Sequence, residues 1–232
     1  MFNYFGSKQR LAPTYAPPKH DLIVEPFAGA AAYSVYWLKQ RRDTETILYD
    51  IDPMVVELWE RILAMSPDEL WAYPNPKAGE MSSDMLWGSC ASATSSWRSV
   101  ASGGQFQVTG WMARDFPFIK RRMAADLAEI GGGRVKVFEG GYESSLVCDA
   151  TWFVDPPYQH QGHRYTEGSA GLDYEHLGAW CRNLRGQTIV TEAKPADWLP
   201  FRPHKTHYDQ TNQARVDLIW ESDPEPTLLD LI

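Results

Sequence analysis

The stretch 151-TWFVDPPYQHQGHRY-165 places an acidic residue, two prolines and a tyrosine directly after an apolar run. Thr151 to Val154 reads as a short buried strand, β-favouring along its whole length. Two prolines end it, because proline fixes φ and has no backbone N–H to give to a sheet. Asp155 is therefore expected at the carboxyl end of a strand, where open α/β sheets keep their ligands. A strand-terminating turn with a capping aspartate has the same local appearance. The surrounding chain has to separate the two.

Similar strand-like runs recur on both sides: "DLIVEPF" (21–27), "TILYDID" (46–52), "RVKVFEG" (134–140), "QTIVTEA" (187–193), "HKTHYDQ" (204–210) and "RVDLIWES" (215–222). Helical patterns lie between several of them: "AAYSVYWLKQRR" (31–42), "PMVVELWERILAM" (53–65) and "DYEHLGAWCRNL" (173–184). Pro53 suits a first helical turn. Strands alternating with helices predict a doubly wound, mostly parallel α/β sheet, here of seven strands. The last two strands are joined by the short "DQTNQA" (209–214). It has no room for a helical crossover, so the last strand is expected to be antiparallel.

The rhythm breaks between strands two and three. From about Ser66 to Gly133 the text is rich in Ser, Gly, Trp and Met, and only "FPFIKRRMAADLAEI" (116–130) is convincingly helical, closed by a glycine triplet. "SGGQFQVTGW" (102–111) reads as a hairpin or a loop. So long an interruption predicts an inserted lobe over 66–133, with 1–65 and 134–232 forming one catalytic domain.

The 232 residues are 44% hydrophobic, enough for one core of ordinary size. No stretch approaches the length of a membrane span, and "MFNYFGSKQR" lacks a signal-peptide pattern. Cys90, Cys148 and Cys181 have neither disulfide nor zinc spacing and read as packing residues in a reducing cytosol. His160 and His163 are too few to predict a metal, and none is expected.

The formal charge of −8 is the wrong sign for a generic nucleic-acid binder. From Trp97 to Lys136, however, seven basic residues face three acidic ones. Such a segment fits a localised polyanion footprint, as it fits a solvated helix face. Within it Arg98, Gln105, Gln107 and Arg114 have side chains suited to base edges, and Lys120, Arg121 and Arg122 suit phosphates.

Three more stretches fall at predicted strand ends. In "VEPFAGAAAYS" (24–34), Gly29 leads from strand one into a helix, where backbone can approach a ligand beside unpaired N–H groups. It is neither a dinucleotide fingerprint nor a phosphate loop. Asp50 ends strand two about twenty residues after the glycine turn, where nucleotide-binding sheets put the carboxylate that holds a ribose. Tyr142 ends strand three and is placed to flank a flat ring.

The order "FNYFGSK" (2–8), "EPFAGA" (25–30), "YDID" (49–52), variable lobe, "FEGGYE" (138–143), "DPPY" (155–158) resembles the Dam-type (alpha group) adenine-specific DNA methyltransferases. "NQARVDLIW" (212–220) is similar to the family's late strand. The resemblance implies a Rossmann-like methyltransferase sheet, S-adenosylmethionine as cofactor with S-adenosylhomocysteine as product, and a target-recognition function for the lobe. It also implies that Tyr4 and Lys8 line the methionine end of the cofactor, with Lys8 alternatively facing the target nucleotide. Glu25, Phe27, Ala28, Gly29, Asp50, Ile51, Tyr142 and Asp155 would complete the cofactor site, Tyr142 packing on the adenine ring. Asp155, Pro156, Pro157 and Tyr158 would hold the target base. Two positions depart from the family pattern: its second glycine is Ala31 here, and its acidic residue before the strand-three aromatic is Gly141.

The chemistry suits these residues. An exocyclic adenine amine is a poor nucleophile because its lone pair is delocalised into the ring. A carboxylate and a carbonyl accepting its two hydrogens, from Asp155 and Pro156, would localise that pair and hold it for in-line attack on a sulfonium methyl. The base has to leave the duplex first, and stacking on Tyr158 would replace part of what it loses. No cysteine follows a proline in the chain, which argues against methylation of a cytosine ring carbon. The expected partner is double-stranded DNA, met by a monomer or a dimer in a bacterial or phage-infected cytoplasm, with no membrane. Two alternatives stay open: the same core acting on an amine in RNA or protein, and a nucleic-acid-binding module whose catalytic site has decayed.

Overall fold

The computed structural model describes residues 1–4, 6–89, 103–160, 171–208 and 214–222. Arg98, Cys90 and His163 lie outside the described residues.

Among the described residues, nine strands form two sheets. The main sheet contains β1 (Leu22–Glu25), β2 (Glu45–Asp50), β5 (Val135–Glu139), β6 (Ala150–Val154), β7 (Gly186–Ala193), β8 (Arg202–Tyr208) and β9 (Ala214–Ser222), and its order is β5-β2-β1-β6-β7-β9-β8. All pairings from β5 to β7 are parallel, and β9 runs antiparallel between β7 and β8. The expected seven-stranded, mostly parallel sheet with an antiparallel last strand is therefore present. From β1 the chain winds outward through β2 to β5, then crosses back to β6 on the other side. The order reverses between β1 and β6, and such a switch point opens a crevice at the strands' carboxyl ends.

Alternation along the strands explains the two covered faces. Ile23, Phe153, Ile189 and Ile219 point one way and meet Tyr15 and Tyr33, with Tyr33 stacked on Phe153 at 4.4 Å. On the same side, Leu48 packs with α1 (Ala32–Gln40) and α2 (Pro53–Leu63). Val24, Ile47, Trp152, Val154 and Val190 point the other way, against Leu177 and Cys181 of α6 (Tyr174–Arg182). Strand β6 is buried along its whole length, which is why its sequence reads as one apolar run.

The segment 66–133 contains α3 (Pro67–Ala72), a two-stranded ribbon of β3 (Met81–Ser82) with β4 (Phe106–Gln107), α4 (Met85–Gly88) and α5 (Gly110–Ile130). Stretch 102–111 does not form a hairpin within its described residues, because β4 pairs with a strand that precedes it by about two dozen residues. Helix α5 starts earlier than Phe116: Thr109 caps it by accepting from the Met112 N–H, and the helix runs on through Pro117. Burial of Met112 and Phe116 offsets the hydrogen bond that proline removes. The lower half of α5 shares one apolar core with α1 and α2 through Met123, Leu127 and Ile130. The described part of the segment is thus anchored in the main core, and its ribbon is the outlying portion.

Candidate active site

The crevice at the switch point is an open cleft of about 680 Å³, counted out into the solvent at its mouth. Its wall comes from the N-terminal segment (Tyr4, Gly6, Ser7, Lys8), the turn after β1 (Glu25 and Phe27 to Ala32), the end of β2 (Asp50 to Asp52) and the end of β6 (Phe153, Asp155, Pro157). Four separated stretches singled out in the sequence converge here.

The turn after β1 is held from three directions. The Gly29 N–H donates to Asp50 Oδ2 at 2.8 Å, the Gly29 carbonyl accepts from Trp59 Nε1 at 2.8 Å, and the Ala28 N–H donates to the Tyr49 carbonyl at 2.9 Å. Gly29 sits at φ +45°, and a Cβ there would lie 2.8 Å from the Tyr4 ring. Both the conformation and the close approach require glycine. Ala31 has φ +44° and ψ +50°, the one left-handed non-glycine among the described residues. The position where the resembling family carries glycine is therefore one where the backbone favours glycine.

Three carboxylates of this region, the buried Glu25 and Glu192 and the half-buried Asp50, are shifted upward. Glu25 accepts from the Ser34 N–H at 2.7 Å in the first turn of α1, and burial pushes it up to about 8. Asp50 also accepts from the Asp52 N–H at 3.0 Å; burial raises it to about 6, opposed by its two backbone hydrogen bonds. Glu192, on β7, is raised by burial to about 7.

Asp155 stands at the tip of β6, partly accessible and facing the cleft. Lys8 Nζ lies 2.8 Å from Oδ1 and 2.9 Å from Oδ2, and also donates to the Gly6 carbonyl at 2.8 Å. The same ammonium sits 4.8 Å above the Tyr158 ring. Thr191 Oγ1 donates to Asp155 Oδ1 at 2.6 Å. The tetrad is braced from behind by Tyr174, whose hydroxyl donates to the Pro157 carbonyl. Burial raises the Tyr158 phenol well above its ordinary value, so the ring stays neutral and offers a polarizable face. A fixed carboxylate beside an aromatic face and an open cleft can orient an amine and accept its hydrogens.

Residues 4–84 match the family of D12 class N6 adenine-specific DNA methyltransferases. The match takes in the N-terminal segment, the Gly29 turn and Asp50, and agrees with the adenine-methyltransferase expectation drawn from the sequence. It stops before the DPPY tetrad. No curated protein matches the chain. Solved structures similar to it include an rRNA methyltransferase, AviRa, from Streptomyces viridochromogenes, at 18% identity and TM-score 0.49 over 94% of this chain and 86% of that one. Another is precorrin-6Y C5,15-methyltransferase from Geobacter metallireducens, at 10% identity and TM-score 0.37 over 87% and 80%.

The other residues singled out in the sequence are placed as follows. Ile51 is 57% exposed and offers an apolar face to the cleft. Tyr142 is not along the cleft: it is buried behind Phe27, stacked at 5.7 Å, with its hydroxyl 2.7 Å from His176 Nδ1. Lys120 points inward and donates to the Tyr73 carbonyl. Arg122 donates to the Met1 carbonyl at 3.0 Å and to Asn3 Oδ1 at 2.8 Å. Gln105 and Arg114 are exposed, Arg114 paired with Asp115 at 2.7 Å, and Arg121 lies 5.1 Å over the Trp71 ring. Among the described residues no group of three or more His, Cys, Asp or Glu is placed to hold a metal ion, and no helix is long and apolar enough to cross a membrane.

Trp59, Tyr174, Thr191 and Glu192 are not among the residues singled out in the sequence. The signal for the last two was present: "VTEA" ends the strand that lies beside β6, but its neighbour is known only once the strand order is.

Proposed function

We propose that the chain transfers a methyl group from S-adenosylmethionine to the exocyclic amine of an adenine turned out of double-stranded DNA. The observation that carries this reading is the Asp155 carboxylate, fixed at the tip of β6 and opening onto the same cleft as Gly29 and Asp50. The match of residues 4–84 supports the adenine-DNA class of substrate.

The cleft suits the cofactor. Asp50 retains lone pairs beyond its two backbone bonds for ribose hydroxyls, Ile51 and Phe27 offer apolar surface to a purine, and Tyr4 and Glu25 border the far end. When bound, S-adenosylmethionine supplies an electrophilic methyl group on its sulfonium sulfur. Asp155 accepts one hydrogen of the amine and the Pro156 carbonyl the other, which localises the nitrogen lone pair. Proline at 156 and 157 keeps these acceptors rigid. Tyr158 stacks on the extruded base, and Lys8, which spans the carboxylate beside that ring, gives way to the amine. Residues 66–133 serve target recognition, with the exposed Gln105, Arg114 and Arg121 on the DNA side.

The test is transfer of labelled methyl groups to duplex DNA, RNA and protein, followed by mapping of the modified base. Methylated adenine in DNA is expected, and Asp155→Ala should abolish it while cofactor binding persists. Full activity in Asp155→Ala, or labelling confined to RNA or protein, would overturn the reading.

A further inference from the structure

We infer that Thr191 and Glu192, consecutive residues at the end of β7, are positioning residues that hold the DPPY segment in its working geometry; the inference rests on the methyl-transfer reading above. Strands β6 and β7 are parallel and in register, with Val154 opposite Val190. The next two positions of β7 therefore flank the tetrad as it leaves the sheet. Successive strand residues point to opposite faces, and this pair uses both.

Thr191 points toward the cleft side, where its hydroxyl donates to Asp155 Oδ1 at 2.6 Å. That bond restrains rotation of the carboxylate and occupies one lone pair of Oδ1, so that Oδ2, which accepts from Lys8 at 2.9 Å, is the oxygen that faces an incoming amine once Lys8 gives way. Lys8 alone does not select an oxygen, since it lies within 0.1 Å of equidistant from the two. Glu192 points the other way and is fully buried. Its Oε2 accepts the Gln159 N–H at 3.1 Å, the first backbone amide after Tyr158, and Trp198 Nε1–H at 3.0 Å, while Oε1 accepts the Ala193 N–H at 2.9 Å. Trp198 in turn packs on Tyr174 at 5.7 Å, and Tyr174 donates to the Pro157 carbonyl.

Two prolines cannot donate, so the tetrad has few backbone bonds of its own with which to resist displacement. Thr191 fixes its first residue, Tyr174 its middle and Glu192 its exit. A buried carboxylate gathering three N–H donors is costly to bury, and holding a loop that carries a reacting group is a role that matches the cost.

The experiment compares Thr191→Val, Thr191→Ser and Glu192→Gln with the wild type, measuring kcat for methyl transfer to adenine-containing duplex DNA and cofactor affinity by calorimetry. Thr191→Val and Glu192→Gln should lower kcat by about tenfold or more with cofactor Kd changed less than about twofold, and Thr191→Ser should recover most of the rate. A wild-type rate in Thr191→Val, an equal loss in Thr191→Ser, or loss of cofactor binding together with rate would each overturn the assignment. A wild-type chain that methylates no DNA would instead sink the methyl-transfer reading itself.

Discussion

Lys8 and Asp155 stand 147 positions apart in the chain and meet with Nζ 2.8 Å from Oδ1, both side chains mostly buried. This ion pair ties the N-terminal segment across the mouth of the cleft to the tip of β6. It couples the N-terminal wall of the cleft to the carboxylate that Thr191 also holds.

Breaking a buried pair strands the remaining charge. Lys8→Met is expected to cost about 3 kcal/mol in urea unfolding, the low end for such pairs because Asp155 retains some solvent contact and its Thr191 partner. In a cycle with Asp155→Asn, the two changes should couple by about 1–3 kcal/mol. Additivity within about 0.5 kcal/mol would show that the contact contributes nothing.

Gly29→Ala meets two obstacles, the φ of +45° and the Tyr4 ring 2.8 Å from the new Cβ. A loss of about 1–3 kcal/mol in stability is expected. Displacement of Tyr4 from the cleft wall should weaken S-adenosylmethionine binding by about tenfold, read by calorimetry. Adding Tyr4→Ala should return the steric part of the stability loss and leave the backbone part. An undiminished loss in the double variant would show that Tyr4 is not the obstacle.

Ala31→Gly should act in the opposite direction. Alanine at φ +44° carries left-handed strain that glycine lacks. Glycine also loses more backbone freedom on folding, so the net gain should be about 0.5–1 kcal/mol. A destabilised Ala31→Gly in the same urea assay would mean that the Ala31 methyl, 1% exposed, packs better than its backbone is strained.

The pH dependence of stability follows from the raised carboxylates. Glu25 has a folded-state value of about 8 against an ordinary 4.5, so the native protein holds this proton more tightly than the unfolded chain. That contribution is full below about 4.5 and is lost as pH rises through about 8. Glu192 and Asp50 add in the same direction, up to about 7 and about 6. Denaturation midpoints should therefore fall between about pH 5 and pH 8, and Glu25→Gln should flatten the slope. An unchanged slope in that variant would assign the dependence to other groups.

Much of this was legible in the chain before folding. The seven strands, the late hairpin and the helices after β1, β2 and β6 follow from apolar period, prolines and turn residues, which act over a few positions. The Gly29–Asp50 contact was foreshadowed by their spacing along one strand–helix–strand unit. Other features escaped because burial overrode local signals. Helix α5 begins upstream of Pro117 because Met112 and Phe116 are buried. Lys120 turns inward to the Tyr73 carbonyl although its neighbours Arg121 and Arg122 read as one basic run. Tyr142 lies behind Phe27 because α6 brings His176 and Trp180 to its other side.

The amino-acid order alone determined which elements form and that Asp155 ends a buried strand, since both depend on residues within a few positions of each other. The tertiary structure alone decided what Asp155 faces. Placing β1 and β7 on either side of β6 and folding the N-terminal segment over the switch point bring Lys8 and Thr191 to one carboxylate. Such contacts span 147 and 36 positions, and only the burial of a whole sheet supplies enough free energy to hold partners so distant in one place.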